Sequence, residues 1–281
     1  DYRSSRGLGD VYKRQINHTL HKKGETQDKP IPAASVMLVR DHDNKVEVFM
    51  IKRSMKTNFG GAWVFPGGKI DKADNAKNYA RYSHLLDDVT ASQRLGTESN
   101  GLAYWIACIR ECFEESGILL VNEIDGSKQK TKFTDNELKI INQYKEKLLS
   151  GDCVFNELLD KLNFSLATNE LAYISHWITP KIEKRRYSTR FFVARTTHQE
   201  AIHDGSEGVE SQWINPQAAL NLYNTGNYPM IMPTIKNLEL IKDFSNAKSL
   251  LKAMNNKEEN EIPRIEPIFK IRNGKPKLIS Y

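Results

Sequence analysis

The sequence predicts an α/β sandwich built around a mixed sheet. Three observations carry that reading. First, β-rich runs recur along the chain, at 33–40 (AASVMLVR), 46–52 (VEVFMIK), 171–178 (LAYISHWI), 187–195 (YSTRFFVAR) and 209–214 (VESQWI). Second, the stretches 101–116, 135–162, 216–224 and 234–254 read as helices, the first two with apolar residues at three- and four-residue steps. Third, 281 residues with 39% hydrophobic content can bury a sizeable core.

Taken in order, residues 1–15 (DYRSSRGLGDVYKRQ) lack apolar periodicity and resemble translated adapter sequence, so fold reasoning starts near Ile16. Residues 16–32 read as a linker, and 33–254 as one folded domain. Its first two strands flank DHDNK, whose Asp and Asn side chains favour a hairpin turn. The run AWVFPGG ends in Pro66, Gly67 and Gly68, where a strand stops and close backbone approach is expected. Residues 71–100 are polar and weakly periodic and read as loop. A helix follows over 101–116, stopped by Gly117. The helical segment 134–165 interrupts the strand pattern and reads as an insertion, a candidate lid. Residues 255–281 read as a charged, Pro-containing tail without a functional signal.

The net charge is +6, falling to +4 once the four basic and two acidic side chains of residues 1–15 are set aside. That balance suits anionic substrates, but the cations are dispersed, so a nucleic-acid partner is not expected. Cys108, Cys112 and Cys153 cannot all pair and contain no C-x-x-C, which argues for a reduced, intracellular setting. No apolar run approaches the roughly 20 residues of a membrane helix. Nothing in the sequence speaks to oligomeric state.

The chemistry concentrates in PGGKIDKAD (66–74) and RECFEESGI (110–118). On a helix, Glu111, Glu114 and Glu115 stand at i, i+3 and i+4, so their carboxylates crowd one face and repel. An isolated E-x-x-E-E is an ordinary solvated helix face. A hard divalent cation on oxygen ligands would offset that repulsion. Here Arg110 directly precedes the glutamates, Gly117 closes the helix, and a strand ending in Gly-Gly lies upstream.

Those residues together resemble the Nudix box of the Nudix hydrolases, which places Gly68, Asp74, Arg110, Glu111, Glu114, Glu115, Gly117 and Ile118 at box positions. Two features depart from the pattern. Asp74 stands where the family has Glu, and 35 residues separate Asp74 from Arg110 in place of seven. Lengthening a loop five-fold costs only about 1.4 kcal/mol in closure entropy, so a box split as 68–74 and 110–118 is tolerable. Cys112 takes an aliphatic box position as a small buried hydrophobe.

The resemblance implies a Nudix α/β/α sandwich with a long insertion inside the box and a metal-dependent hydrolase of pyrophosphate linkages. Glu111, Glu114 and Glu115 would hold Mg²⁺ or Mn²⁺ with the backbone carbonyl of Gly67, and Arg110 would orient the carboxylates. Gly68, Asp74 and Gly117 would shape the box. VFPGGKID, WITP at 177–180 and RRYSTRFFVA at 185–194 further resemble the branch containing peroxisomal acyl-coenzyme A diphosphatases, over most of 33–245. That branch implies coenzyme A or acyl-CoA as the small-molecule substrate, yielding adenosine 3′,5′-bisphosphate and (acyl-)4′-phosphopantetheine.

Candidate phosphate contacts are Arg53, Lys56 and Lys69 near the Gly-Gly turn, and Arg185, Arg186 and Arg190 near the later strand. Tyr187, Phe191, Phe192 and Trp177 could stack a base or simply fill the core. The competing readings are a Nudix pyrophosphatase for nucleotide sugars or dinucleoside polyphosphates, and an inactive Nudix module binding nucleotide or RNA. The branch implies peroxisomes, although an S-K-L-type signal does not occupy Ile279, Ser280 and Tyr281.

Overall fold

The computed structural model describes residues 29–56, 59–123, 126, 128–183, 185–196, 208–272 and 275–281. The adapter-like segment 1–15 and most of the expected linker lie outside the described residues.

Strands β1 (Ile31–His42) and β2 (Lys45–Arg53) form the expected hairpin. Asp43 and Asn44 make the turn with φ of 48° and 58°, the left-handed pair that a tight two-residue hairpin needs and that Asp and Asn tolerate. Two short strands, β3 (Trp63–Val64) and β4 (Gly67–Lys69), follow. β1 pairs with β2 through residues 39–42 and with β4 through 33–35, while β2 reaches β3 at Ile51 and Lys52. The hairpin strands therefore part, and the 63–69 segment carrying the glycines occupies the gap.

The later strands β7 (Leu171–Ile178), β8 (Tyr187–Arg195) and β9 (Gly208–Ile214) complete an eight-stranded sheet with β10 (Arg264–Ile265). The main order is β10-β7-β8-β1-β2-β3, with β4 on β1 and β9 on β2. β8 runs parallel to β1 and β10 parallel to β7, whereas the remaining pairs are antiparallel, so the sheet is mixed as expected. Two further short strands, β5 (Val121–Asn122) and β6 (Ser165–Leu166), pair outside it.

Each face of the sheet buries its own core. On one face the helix α3 (Leu102–Ser116) packs Trp105, Ile106 and Ile109 beside Val36, Leu38 and Phe192. On the other, α6 (Pro216–Asn224), α7 (Met232–Ile241) and α8 (Ala247–Asn255) cover Met37, Val48 and Val193. Alternating strand residues thus serve opposite cores, the period-2 pattern of a sheet covered on both sides. The 234–254 segment is two helices, because Asn246 caps a new start by accepting from the Ser249 N–H.

Residues 71–100 are not simple loop. They contain α1 (Ala76–Tyr79) and α2 (Asp88–Leu95), the latter capped by Asp87 and ended by Gly96 at φ 60°. Buried Tyr79, Tyr82, Leu86, Ala91 and Leu95 tie the segment to the α3 core, so tertiary burial supplies what local periodicity did not. The insertion forms α4 (Asp135–Ser150) and α5 (Phe155–Leu162), with Gly151 at φ 79° between them. Phe155, Leu158 and Ile141 pack onto the same core. The tail is also structured: β10 joins the sheet and β11 (Ile268–Arg272) pairs with β12 (Lys275–Ser280). Its unpaired backbone edge on β7 offered the hydrogen bonds that order it.

Candidate active site

Helix α3 presents the glutamates because most of its other residues are apolar and pack into the core. Eleven of its fifteen residues are buried, and Gly117 ends it in the left-handed region at φ 74°. Arg110 is the hub of the site. Its Nε and Nη2 donate to the two oxygens of Asp74 at 2.9 and 3.0 Å, and Nη2 also donates to the Lys69 carbonyl at 3.1 Å. Nη1 donates to Glu111 Oε1 at 3.0 Å and to Glu114 Oε2 at 3.1 Å. Five guanidinium N–H donors make five bonds, the planar fork geometry that only Arg supplies.

Asp74, 36 positions before Arg110, is wholly buried, and its Oδ2 also accepts from the Asp71 N–H at 2.8 Å. The split box therefore closes in space through one bidentate pair. Asp74 fits because the η-turn Lys72–Asp74 delivers it at short range, compensating for the methylene it lacks relative to Glu.

The glycine turn completes the wall. The Gly67 N–H donates to Glu115 Oε2 at 2.8 Å, and the Pro66 carbonyl accepts from the Val36 N–H at 2.9 Å and from Ser35 Oγ at 3.0 Å. A Cβ at Gly67 would lie 2.5 Å from the Ala34 carbonyl oxygen, and one at Gly68 would overlap the Glu111 carboxylate. Close backbone approach requires a glycine at 67, whereas at 68 an added atom would push on the Glu111 side chain.

The electrostatics follow from that crowding. Burial pushes the Glu111 carboxyl up to about 7, with Arg110 opposing the rise and Glu114 adding to it. Glu114 is raised for the same leading reason. Burial also raises Asp74 against the lowering influence of Arg110. Burial alone would weaken the Arg110 charge, but its bonds to Asp74 and the surrounding carboxylates hold the guanidinium protonated.

A cation is the group this donor set lacks on charge grounds. Asp71, Asp74, Glu111 and Glu114 surround Arg110, Glu115 lines the same cavity, and all of them offer only oxygen ligands. Among the described residues no three Asp, Glu, His or Cys side chains converge tightly enough to cage an ion unaided. Carboxylate oxygens are the ligand type that a hard divalent cation takes.

The trio opens onto a cavity of about 640 Å³. One wall is acidic. Arg53, Lys56, Lys69 and Arg185 stand elsewhere around it, with Tyr187, Thr189 and Phe191 of β8 and Ile231 and Thr234 at the start of α7.

Two of the expected phosphate contacts do not line this cavity. Buried Arg186 donates to the Thr179 carbonyl at 2.9 Å and pairs with Glu266 at 2.7 Å. Buried Arg190 faces the α3 side, where it bonds His176 Nε2 at 2.8 Å and the Leu95 carbonyl at 3.2 Å and lies over Tyr104. Strand parity separates them from Tyr187 and Phe191, a signal already present in the alternation of β8. Phe192 is core, on the Arg190 side. The contributions of Ile231 and Thr234 had no sequence signal. The insertion 134–165 adds no residue to the cavity lining and packs Ile141, Phe155 and Leu158 onto the α3 core.

An α/β/α sandwich with a glycine turn set against R-E-x-x-E-E on a buried helix defines a Nudix hydrolase. The family model described as the NUDT19 Nudix domain matches residues 22–241, and the chain belongs to that family. The chain is 27% identical over 260 residues to "Acyl-coenzyme A diphosphatase NUDT19" of Xenopus laevis, covering 82% of this chain and 68% of that protein. It is also 27% identical over 218 residues to "Putative nudix hydrolase 7" of Caenorhabditis elegans, covering 75% of this chain and 61% of that protein. The crystal structure of a NUDIX hydrolase from Alicyclobacillus acidocaldarius superposes with a TM-score of 0.61 at 24% identity, over 80% of this chain and 96% of that one. That likeness supports the fold. Among the described residues no helix is long and apolar enough to cross a membrane.

Proposed function

We propose that this Nudix hydrolase cleaves the pyrophosphate of coenzyme A or acyl-CoA with Mg²⁺ or Mn²⁺, giving adenosine 3′,5′-bisphosphate and (acyl-)4′-phosphopantetheine. One observation carries the proposal: the Glu111, Glu114 and Glu115 carboxylates open onto a large cavity that four cationic side chains besides Arg110 also line. A cavity of about 640 Å³ suits a sizeable dinucleotide-like ligand. The naming of the Xenopus relative as an acyl-coenzyme A diphosphatase supports the substrate.

Glu111, Glu114 and Glu115, with the Gly67 carbonyl, would hold the cation. Bound there, a divalent ion neutralises pyrophosphate charge and makes water a better nucleophile. Arg110 fixes the carboxylates through Nη1, so they meet the substrate preorganised. One glutamate accepts the proton of the attacking water at Oε. Arg53, Lys56, Lys69 and Arg185 bind the remaining phosphate oxygens. The family's peroxisomal setting is part of the same proposal.

The test is kcat/KM for coenzyme A beside an ADP-sugar and a dinucleoside tetraphosphate. Coenzyme A should lead by at least about ten-fold, equivalent to about 1.4 kcal/mol of transition-state preference. A lead for either other substrate would move the assignment to that class.

A further inference from the structure

Beside the main cavity lies a recess of about 110 Å³. Phe59, Tyr187, Thr189, Phe191 and Ile231 line both, so the two spaces adjoin. The recess has further walls of its own in Trp177, Ile178, Thr179, Pro233 and Pro267. No charged side chain lines it, whereas the main cavity carries Arg53, Lys56, Lys69 and Arg185.

We infer that this recess is the subsite for the uncharged acyl end of the substrate, seated against Trp177 and Ile178 beneath the C-terminal segment. The inference rests on the coenzyme A reading and extends it. The two ends of such a substrate differ in charge: the nucleotide end bears a 3′-phosphate and needs the cationic wall, because an unpaired phosphate in an apolar recess is prohibitively desolvated. The acyl end has no such need. Buried Trp177 and Ile178 give the recess the apolar wall that an acyl chain would pack against.

The roof comes from residues beyond the 22–241 match. β10 pairs with β7 at His176 and Trp177, and Glu266 accepts from Arg186 Nη2 at 2.7 Å, which sets Pro267 over the recess. Arg186, a candidate phosphate ligand by sequence, instead fastens this roof.

The test is kcat/KM for coenzyme A and for acyl-CoAs of two to sixteen carbons, on the full chain with Mg²⁺, comparing the parent with Ile178→Ala and Pro267→Trp. Each buried methylene adds about four-fold. At roughly 30 Å³ per group, the gain should level off after about four methylene-sized units. Ile178→Ala should move that plateau two or three carbons longer, and Pro267→Trp should flatten the rise. These are ratios between substrates on one protein, so a damaged fold lowers every rate and leaves the ratios intact. Identical acyl profiles in all three proteins, with coenzyme A still cleaved, would overturn the recess as a subsite. Failure of the parent to cleave any of these thioesters or coenzyme A, while cleaving another nucleotide diphosphate, would overturn it together with the coenzyme A reading.

Discussion

Replacing Arg110 with Ala should be among the most destabilising single changes in the chain. The substitution removes five hydrogen bonds and leaves Asp74, which has no exposed surface, without its bidentate partner. Breaking a buried ion pair from one side typically costs about 3–5 kcal/mol, because the surviving charge stays desolvated. With a urea m-value of about 3 kcal/mol/M for a domain of this size, the midpoint should drop by about 1–1.7 M. Arg110→Lys should fall between parent and Ala, since an ammonium has three donors and cannot span both Asp74 oxygens. Removing Asp74 as well should recover part of the loss, a coupling that a double-mutant cycle reads directly. The assay is urea unfolding followed by tryptophan fluorescence and circular dichroism. An Arg110→Ala midpoint corresponding to less than about 1 kcal/mol of loss, or strict additivity with Asp74→Ala, would refute the hub.

Three further outcomes follow from the same geometry. Gly68→Ala should separate activity from stability, because the atoms nearest the added Cβ all belong to the Glu111 carboxylate: turnover should fall at least about ten-fold while the urea midpoint moves little. Asp74→Glu, although it restores the usual box residue, should cost about 1–3 kcal/mol in thermal or urea unfolding, since the site is fully buried and already filled by a bidentate contact. His176 is held down to about 3 by burial and then by Arg190 and Arg264, so it stays neutral when folded and takes up a proton on unfolding below about 6.5. Its contribution is complete above that pH and is lost as pH falls toward 3, so His176→Gln should flatten the stability profile there by up to about 1.4 kcal/mol per pH unit. Parallel profiles for parent and variant would contradict that origin.

The sequence disclosed the site more fully than its surroundings, and particular residues show why. Strands 171–178 and 187–195 and the helix 216–224 emerge with the bounds that composition suggested, because β-branched runs and Pro at a helix start are local signals. Asp74 and Arg110 are joined across 36 positions, a contact visible only through the resemblance and then in the structure. The short helices within 71–100 owe their existence to burial of Tyr79, Tyr82 and Leu95, which no window of polar sequence announces. Tyr187, Thr189 and Phe191 face the cavity whereas Arg190 does not, a distinction that strand parity decides and charge alone cannot. The order of the tail depends on a sheet edge contributed by residue 176, far away in sequence.

The central claim is that the glutamate trio and a divalent cation cleave a coenzyme A pyrophosphate. Chromatographic product analysis after incubation with coenzyme A and Mg²⁺ or Mn²⁺, beside a chelator control and Glu114→Gln, tests it most directly. The account predicts metal-dependent release of adenosine 3′,5′-bisphosphate and 4′-phosphopantetheine, abolished by the chelator and reduced at least about a hundred-fold in the variant, a loss of about 2.7 kcal/mol in transition-state stabilisation. Intact coenzyme A in the parent reaction, or equal turnover in a folded Glu114→Gln protein, would contradict it.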